Sequence, residues 1–282
     1  MSASDLSSRT VLVTGATSGI GFETARQLAE RGATVLVHGR TAEDAQAATD
    51  KLVATAGIDA GQLCGVAADF TRLEEVEAMA RRVVAGHPHL DVLVNNAGIA
   101  APERHTLTAD GNEIALQVNF LAHYLLTCLL EPALTMGSPL LERSRELGDD
   151  PGGRVVNVSS SLHRTASIQW SDPQRARRYS RLAAYAQSQL ALTVFAADPR
   201  VTAVSVHPGA CETDLLSLYA MSGVSAAEGA AHVVRLCDPA TEIVNGAYYD
   251  RDQRVEPAQA ATEDRTVKRL SKLADQLTGH HT

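Results

Sequence analysis

Short, almost unbroken apolar runs alternate along this chain with longer stretches in which apolar residues recur every three or four positions. The short runs are Thr10–Val13, Thr34–His38, Gln62–Ala67, Val92–Val94, Arg154–Val158 and Val201–Val206. Their valine-rich, mostly continuous character predicts strands buried on both faces of a parallel sheet. Ala247–Tyr249, just after Asn245-Gly246, is a candidate seventh strand. Helical spacing runs through Ile20–Arg31, Thr41–Ala56, Leu73–Ala85 and Ala109–Leu134. A further helix carries Tyr185 and is stopped at Asp198-Pro199, because the residue before a proline avoids helical geometry. This alternation predicts the α/β class: an open, doubly wound parallel sheet flanked by helices. No repeat, low-complexity tract or Gly/Ser linker marks a second domain, so residues 1–282 are expected to form one. Its core would span 8–250, with a helical extension over 251–282 in which Val267, Leu270, Leu273 and Leu277 make one apolar stripe.

Two segments read as loops. Thr135–Gly153 is polar and rich in glycine and proline, and reads as a surface insertion. Ser161–Arg181 holds the only tryptophan, Trp170, and a basic run of Arg175, Arg177, Arg178 and Arg181 that reads either as a solvated face or as a grip on an acidic ligand. The formal charge of −8 argues against a general nucleic-acid binder. Four cysteines without a CxxC pair fit reduced thiols in a cytoplasmic protein, with no disulfide framework and no metal site. The N-terminus lacks a signal-peptide pattern, and apolar runs such as Leu125–Leu130 are too short to span a bilayer.

The first strand runs into Thr14-Gly15-Ala16-Thr17-Ser18-Gly19-Ile20-Gly21 and then a helix. Glycines there let the backbone approach a pyrophosphate, and the helix N-terminus offers free N–H groups and the positive end of its dipole. The second strand ends His38-Gly39-Arg40. A carboxylate would repel a 2′-phosphate, whereas the Arg40 guanidinium can grip one, so NADP(H) is favoured over NAD(H). The third strand leads to Asp69-Phe70 and the fourth to Asn95-Asn96-Ala97-Gly98.

Taken in order, these motifs resemble the short-chain dehydrogenases/reductases, with the TGxxxGxG form of the glycine loop and an unsubstituted NNAG tetrapeptide. The resemblance covers roughly residues 8–250 and implies a Rossmann fold and a nicotinamide cofactor. It places Gly15, Thr17, Ser18, Gly19, Ile20, Gly21, Arg40, Asp69, Asn96, Ala97, Gly98, Tyr185, Gln189, Pro208, Gly209 and Thr213 around that cofactor, with Asp69 against adenine and the Thr213 hydroxyl on the carboxamide. It also implies four catalytic positions. Asn119 would kink the long helix and hold a relay water. Ser160, second of a serine pair, would hold the substrate carbonyl, although Ser159 or Ser161 could take that part. Tyr185 would donate the proton. Gln189 stands where the family usually has lysine. The sequences Val156-Asn157-Val158-Ser159-Ser160 with His163, then Ala184-Tyr185-Ala186-Gln187-Ser188, then His207-Pro208-Gly209, are similar to the retinol-dehydrogenase-like branch.

Hydride delivery to a carbonyl carbon builds charge on its oxygen, which hydroxyl groups must stabilise and protonate. An ammonium beside a phenol lowers its pKa; an amide does not. Reduction needs only the protonated phenol, whereas oxidation needs its anion. The sequence therefore predicts a ketone or aldehyde reductase, slow as a dehydrogenase below about pH 9. Other readings stand beside it: a silent NADP(H)-binding regulatory or scaffold protein, a non-redox enzyme reusing the fold, and a glutamine put in place of a native lysine to trap a complex. His163 and His207 read either as alternative acids or, more commonly for such residues, as hydrogen-bonded structural histidines. Leu215, Leu216, Leu218, Tyr219 and Met221 lie in the segment expected to form a substrate lid, about 210–228, and imply an apolar small-molecule carbonyl or alcohol substrate or a lid packed on its own core. In the family the Tyr185 helix and its neighbour build a dimer surface, but the bridge Asp198-Pro199-Arg200 is short here, which leaves a homo-oligomer open.

Overall fold

The computed structural model describes residues 4–135, 153–198, 202–211 and 223–280. Its eight strands form one sheet in the order β3-β2-β1-β4-β5-β6-β7-β8. They are β1 (Thr10–Val13), β2 (Thr34–Gly39), β3 (Leu63–Ala67), β4 (Val92–Asn95), β5 (Arg154–Val158), β6 (Thr202–His207), β7 (Tyr248–Asp250) and β8 (Gln253–Val255). All pairings through β7 are parallel, and β8 turns back antiparallel on β7. The strand order reverses between β1 and β4, which opens a crevice at the carboxyl ends of the central strands.

Side chains alternate across the sheet, and so divide the apolar runs between two layers. Val11, Val13, Val35, Val37, Val94 and Val206 join α1 (Gly19–Glu30), α2 (Ala42–Ala56) and α6 (Ala226–Cys237) on one face. Leu12, Leu36, Leu93 and Val155 meet α3 (Leu73–Gly86) and the long helix α4 (Ile114–Thr135) on the other. The remaining helices are α5 (Arg181–Phe195) and the C-terminal α7 (Asp264–Thr278). This is the Rossmann fold that the alternation of runs implies.

Local chemistry sets the helix ends. Thr41 and Asp44 form a reciprocal capping box at the start of α2, and Ser225 caps α6 by accepting from Glu228 N. The expected start of α4 at Ala109 is five residues early. Gly111 adopts a left-handed φ of +82°, and the Glu113 carboxylate caps the helix by accepting from Ala115 N and Leu116 N. The strand β8 has no counterpart among the apolar runs, since Gln253 and Arg254 are exposed on an edge.

The helix α4 also corrects the expectation from short apolar runs. Its 22 residues are long and apolar enough to cross a bilayer, with mean hydropathy 1.4 over the relevant window, but 83% of that window is buried inside the fold. The stripe on α7 packs inward as well. Val267, Leu270 and Ala274 join Phe120, Tyr124 and Phe195 in a third core cluster. The insertion at 136–152, most of the expected lid and Thr213 lie outside the described residues.

Candidate active site

The glycine loop crosses from β1 to α1 at the switch point. Gly15 and Gly19 take left-handed φ values of +61° and +54°. A Cβ on Gly15 would lie 2.8 Å from Ala97 Cα, and one on Gly21 would lie 2.2 Å from the Gly15 carbonyl oxygen. The loop therefore seats directly on the Asn95–Gly98 turn. Gly21→Ala is expected to destabilise the fold by about 2–3 kcal/mol, read as a lower urea midpoint at unchanged slope. Asn96 fastens the same junction, donating from Nδ2 to the carbonyls of Thr14 (2.8 Å) and Gly15 (3.2 Å). Asn95 reaches across the sheet to Asn157 Oδ1 at 2.8 Å.

Two buried histidines brace this loop from beneath, and sequence reading passes over both in that role. Gly15 N–H donates to His38 Nδ1 at 3.0 Å, while His38 Nε2–H donates to the Ala68 carbonyl at 3.0 Å. The Asn119 carbonyl can only accept, so His123 carries its proton on Nδ1 (3.1 Å), and its bare Nε2 faces the Thr14 hydroxyl at 3.1 Å. Thr14 Oγ1 in turn accepts from Asn96 N (2.8 Å) and Ala97 N (2.9 Å). Phe70 lies between the two imidazoles, its centroid 4.6 Å from His38 and 5.3 Å from His123. The only available clue is the four-residue step from Asn119 to His123 on one helix.

Burial pushes each of these imidazoles down to about 4, from 6.5 in the open chain. Between those values the unfolded chain binds more protons than the folded one. Stability is therefore complete above 6.5 and is lost as pH falls toward 4. Each ring withdraws on the order of 3 kcal/mol over that window. Urea titrations are expected to show this decline, with a shallower slope in His38→Asn. A flat profile from neutral pH to pH 4 would exclude it.

The four expected catalytic positions come from three elements. Asn119 sits in a π-helical turn, Gln117–Leu121, within α4. Its amide accepts from Ile99 N (2.8 Å) and donates to Ile99 O and to Ser188 Oγ, both at 3.0 Å. Ser160 follows β5. Its partly exposed hydroxyl accepts from Leu162 N at 3.3 Å, leaving its own proton to donate. Ser159 is buried and turned into α5, with its hydroxyl 2.7 Å from Thr193 Oγ1. Ser161 is exposed at the start of a 3-10 turn.

Tyr185 and Gln189 lie one turn apart on α5, and Tyr185 packs in a small cluster with Ala101, Ala115, Ala184 and Leu162. Gln189 is only 5% exposed, and its buried Oε1 has no hydrogen-bond partner among the described residues. An orphaned carbonyl at that depth is a ready acceptor for ribose hydroxyl groups. No cation replaces the missing ammonium from a lysine elsewhere: the chain's three lysines, Lys51, Lys268 and Lys272, lie on α2 and α7.

The outer positions expected around a cofactor lie at the same end of the sheet. Arg40 is exposed after β2 and makes no ion pair among the described residues. Ser18 starts α1 with no side-chain cap, and Thr17 and Ile20 are partly exposed beside it. Asp69 accepts through Oδ1 from Thr71 N and Oγ1. Gly98 is exposed next to Asn119, while Pro208 and Gly209 are buried beyond β6. His163 has both ring nitrogens engaged, donating from Nδ1 to Ser160 O (2.7 Å) and accepting at Nε2 from Ala258 N (3.1 Å), which removes it as an alternative acid. Burial lowers the pKa of His207, which disfavours a charged imidazolium there. In the basic run, Arg181 is spent on Ala101 O and Glu103 (both 2.7 Å), while Arg177 and Arg178 are exposed.

The cleft thus combines an anion-binding helix start, a partly exposed serine hydroxyl and a phenol beside a neutral amide, a set suited to hydride and proton transfer at a carbonyl. Comparisons with known proteins agree. The short chain dehydrogenase profile matches residues 9–220. Human retinol dehydrogenase 12 is 31% identical over 292 residues, covering 97% of this chain and 87% of that one. A Streptomyces protein assigned by name to daunorubicin C-13 ketoreduction is 36% identical over 276 residues, covering 92% and 88%. The crystal structure of an uncharacterised protein from Mycobacterium paratuberculosis superposes with a TM-score of 0.76 at 32% identity, covering 98% of this chain and 95% of that one.

Proposed function

Since this chain belongs to the short-chain dehydrogenase family, in its retinol-dehydrogenase-like branch, we propose that it is an NADP(H)-dependent reductase of an apolar ketone or aldehyde. It is an oxidoreductase by family; the cofactor, the direction and the substrate class are the proposal. The observation that carries the direction is the pairing of Tyr185 with a buried, neutral Gln189 one helical turn away.

Bound NADPH supplies the hydride. The glycine loop and the α1 N-terminus would hold its pyrophosphate, where the helix dipole favours negative charge. Arg40 takes the 2′-phosphate, and the Gln189 amide takes ribose hydroxyl groups through the Oε1 that otherwise lacks a partner. Ser160 donates its free proton to the substrate oxygen while Leu162 N–H holds its Oγ in place. Tyr185 hands over the proton that quenches the developing alkoxide. A phenol is protonated at neutral pH without assistance, so this step needs no ammonium. The reverse reaction starts from the phenolate, to which Gln189 offers no positive charge. The relatives named for a ketone and for retinol support an apolar carbonyl substrate.

The test is NADPH oxidation by the purified chain against apolar ketones and aldehydes, including daunorubicin and all-trans-retinal. Turnover at pH 7 is expected with at least one of them. Tight NADPH binding without turnover on any would instead identify a silent cofactor-binding protein. Arg40→Ala is expected to weaken NADPH binding about tenfold to a hundredfold, with NADH binding nearly unchanged, by fluorescence titration. Equal losses for the two cofactors would remove Arg40 from the 2′-phosphate site.

A further inference from the structure

The residue that places the substrate-holding serine lies outside the catalytic set. We propose that His163 is a positioning residue for Ser160, and that through it the C-terminal extension forms part of the catalytic apparatus. This inference rests on the reading of Ser160 as the hydroxyl that holds the substrate carbonyl.

Ser160 is the last extended residue before a 3-10 turn, Ser161–Thr165. Its carbonyl oxygen accepts twice from the same residue: from His163 N–H at 3.1 Å and from His163 Nδ1–H at 2.7 Å. Both acceptor directions are used, so the Ser160 peptide plane is fixed on one side by one side chain and one main-chain group. On the other side, Leu162 N–H holds Oγ at 3.3 Å. These three bonds set where the Ser160 Oγ sits and leave its proton free to turn to a substrate oxygen.

His163 itself is held rigidly. It is fully buried, and its ring lies 4.4 Å from the Tyr248 ring on β7. Its Nε2 accepts from Ala258 N at 3.1 Å. With a proton fixed on Nδ1 by the Ser160 carbonyl, only the unprotonated Nε2 can accept that bond, so a single neutral tautomer satisfies both partners. Burial favours that neutral form. Ala258 precedes the turn Gln259–Thr262, whose Ala261 is packed into the core formed by Phe120, Phe195 and α7. The ring therefore ties the serine loop, the sheet edge and the extension together.

Two substitutions separate the two ends of the ring. Asparagine puts an amide near Nδ1 and can keep the bond to Ser160; glutamine puts one near Nε2 and can keep only the bond to Ala258. In NADPH-dependent reduction of daunorubicin or all-trans-retinal, His163→Gln is expected to lower kcat about 10- to 100-fold. KM for NADPH should stay within about twofold, since the cofactor loop is untouched. His163→Asn should recover most of that loss. In a Ser160→Ala background His163→Gln should cost little more, because the effect runs through Ser160. Melting temperature and NADPH binding confirm that each variant is folded.

Equal kcat losses for asparagine and glutamine, losses that track melting temperature, or full additivity with Ser160→Ala would each overturn the inference while leaving the Ser160 reading in place. Unchanged kcat in Ser160→Ala, or no turnover of either carbonyl by the wild type, would overturn that reading and the inference with it.

Discussion

Tyr185→Phe is expected to lower the rate of carbonyl reduction about 1,000-fold while NADPH binds as before. The ring stays in its packing with Ala101, Ala115, Ala184 and Leu162, so the fold loses only a hydroxyl group. What disappears is the proton that converts alkoxide to alcohol. No side chain identified in the cleft replaces it. His163 has both nitrogens occupied, Ser159 is bonded into α5, and His123 is buried against Thr14 and Asn119. Steady-state kinetics with NADPH fluorescence titration separates the two effects. A phenylalanine variant that reduces carbonyls at the wild-type rate would move the acid elsewhere.

The second large effect is a gain. Gln189→Lys is expected to raise alcohol oxidation at pH 7 by roughly 10- to 1,000-fold, because an opposite charge within a few ångströms lowers an acid's pKa by about 1–3 units. Reduction should change little, since it already starts from the protonated phenol. The new ammonium would enter a site that is 5% exposed, so the substitution costs stability before cofactor binds. Added NADP+ should then raise the melting temperature of the lysine variant more than that of the wild type, if its ribose hydroxyl groups engage the ammonium. Oxidation rates and melting curves on the same preparations check both halves.

Much of this molecule is legible in its sequence, for a physical reason. The strands β1, β2, β4, β5 and β6 are buried on both faces, so they are apolar over most of their length, and they read as runs. The glycine loop and the Asn95–Gly98 turn are legible because their backbones pack too closely for a side chain, as at Gly15 and Gly21. Edge strand β8 carries no such constraint and leaves no pattern. The start of α4 is hidden because Glu113 caps through its side chain, where a serine or threonine would have announced the boundary.

The struts are harder to see. His38, His123 and His163 each work through two ring nitrogens, aimed at backbone groups or, for His123 Nε2, at the Thr14 hydroxyl, and these partners are distant in sequence or fixed by tertiary packing. A sequence gives the residue type but not which carbonyl it will meet. His163 therefore reads as a spare acid until its partners are seen. The choice among Ser159, Ser160 and Ser161 has the same character, because it depends on which hydroxyl turns into α5.

The most direct measurement is the wild-type rate of alcohol oxidation with NADP+ as a function of pH, taken beside carbonyl reduction with NADPH. A phenol with a neutral amide in place of the lysine should give fast reduction at pH 7 and oxidation that rises only toward about pH 9–10, where an ordinary phenol ionises. Brisk oxidation at neutral pH, equal to that of Gln189→Lys, would contradict it.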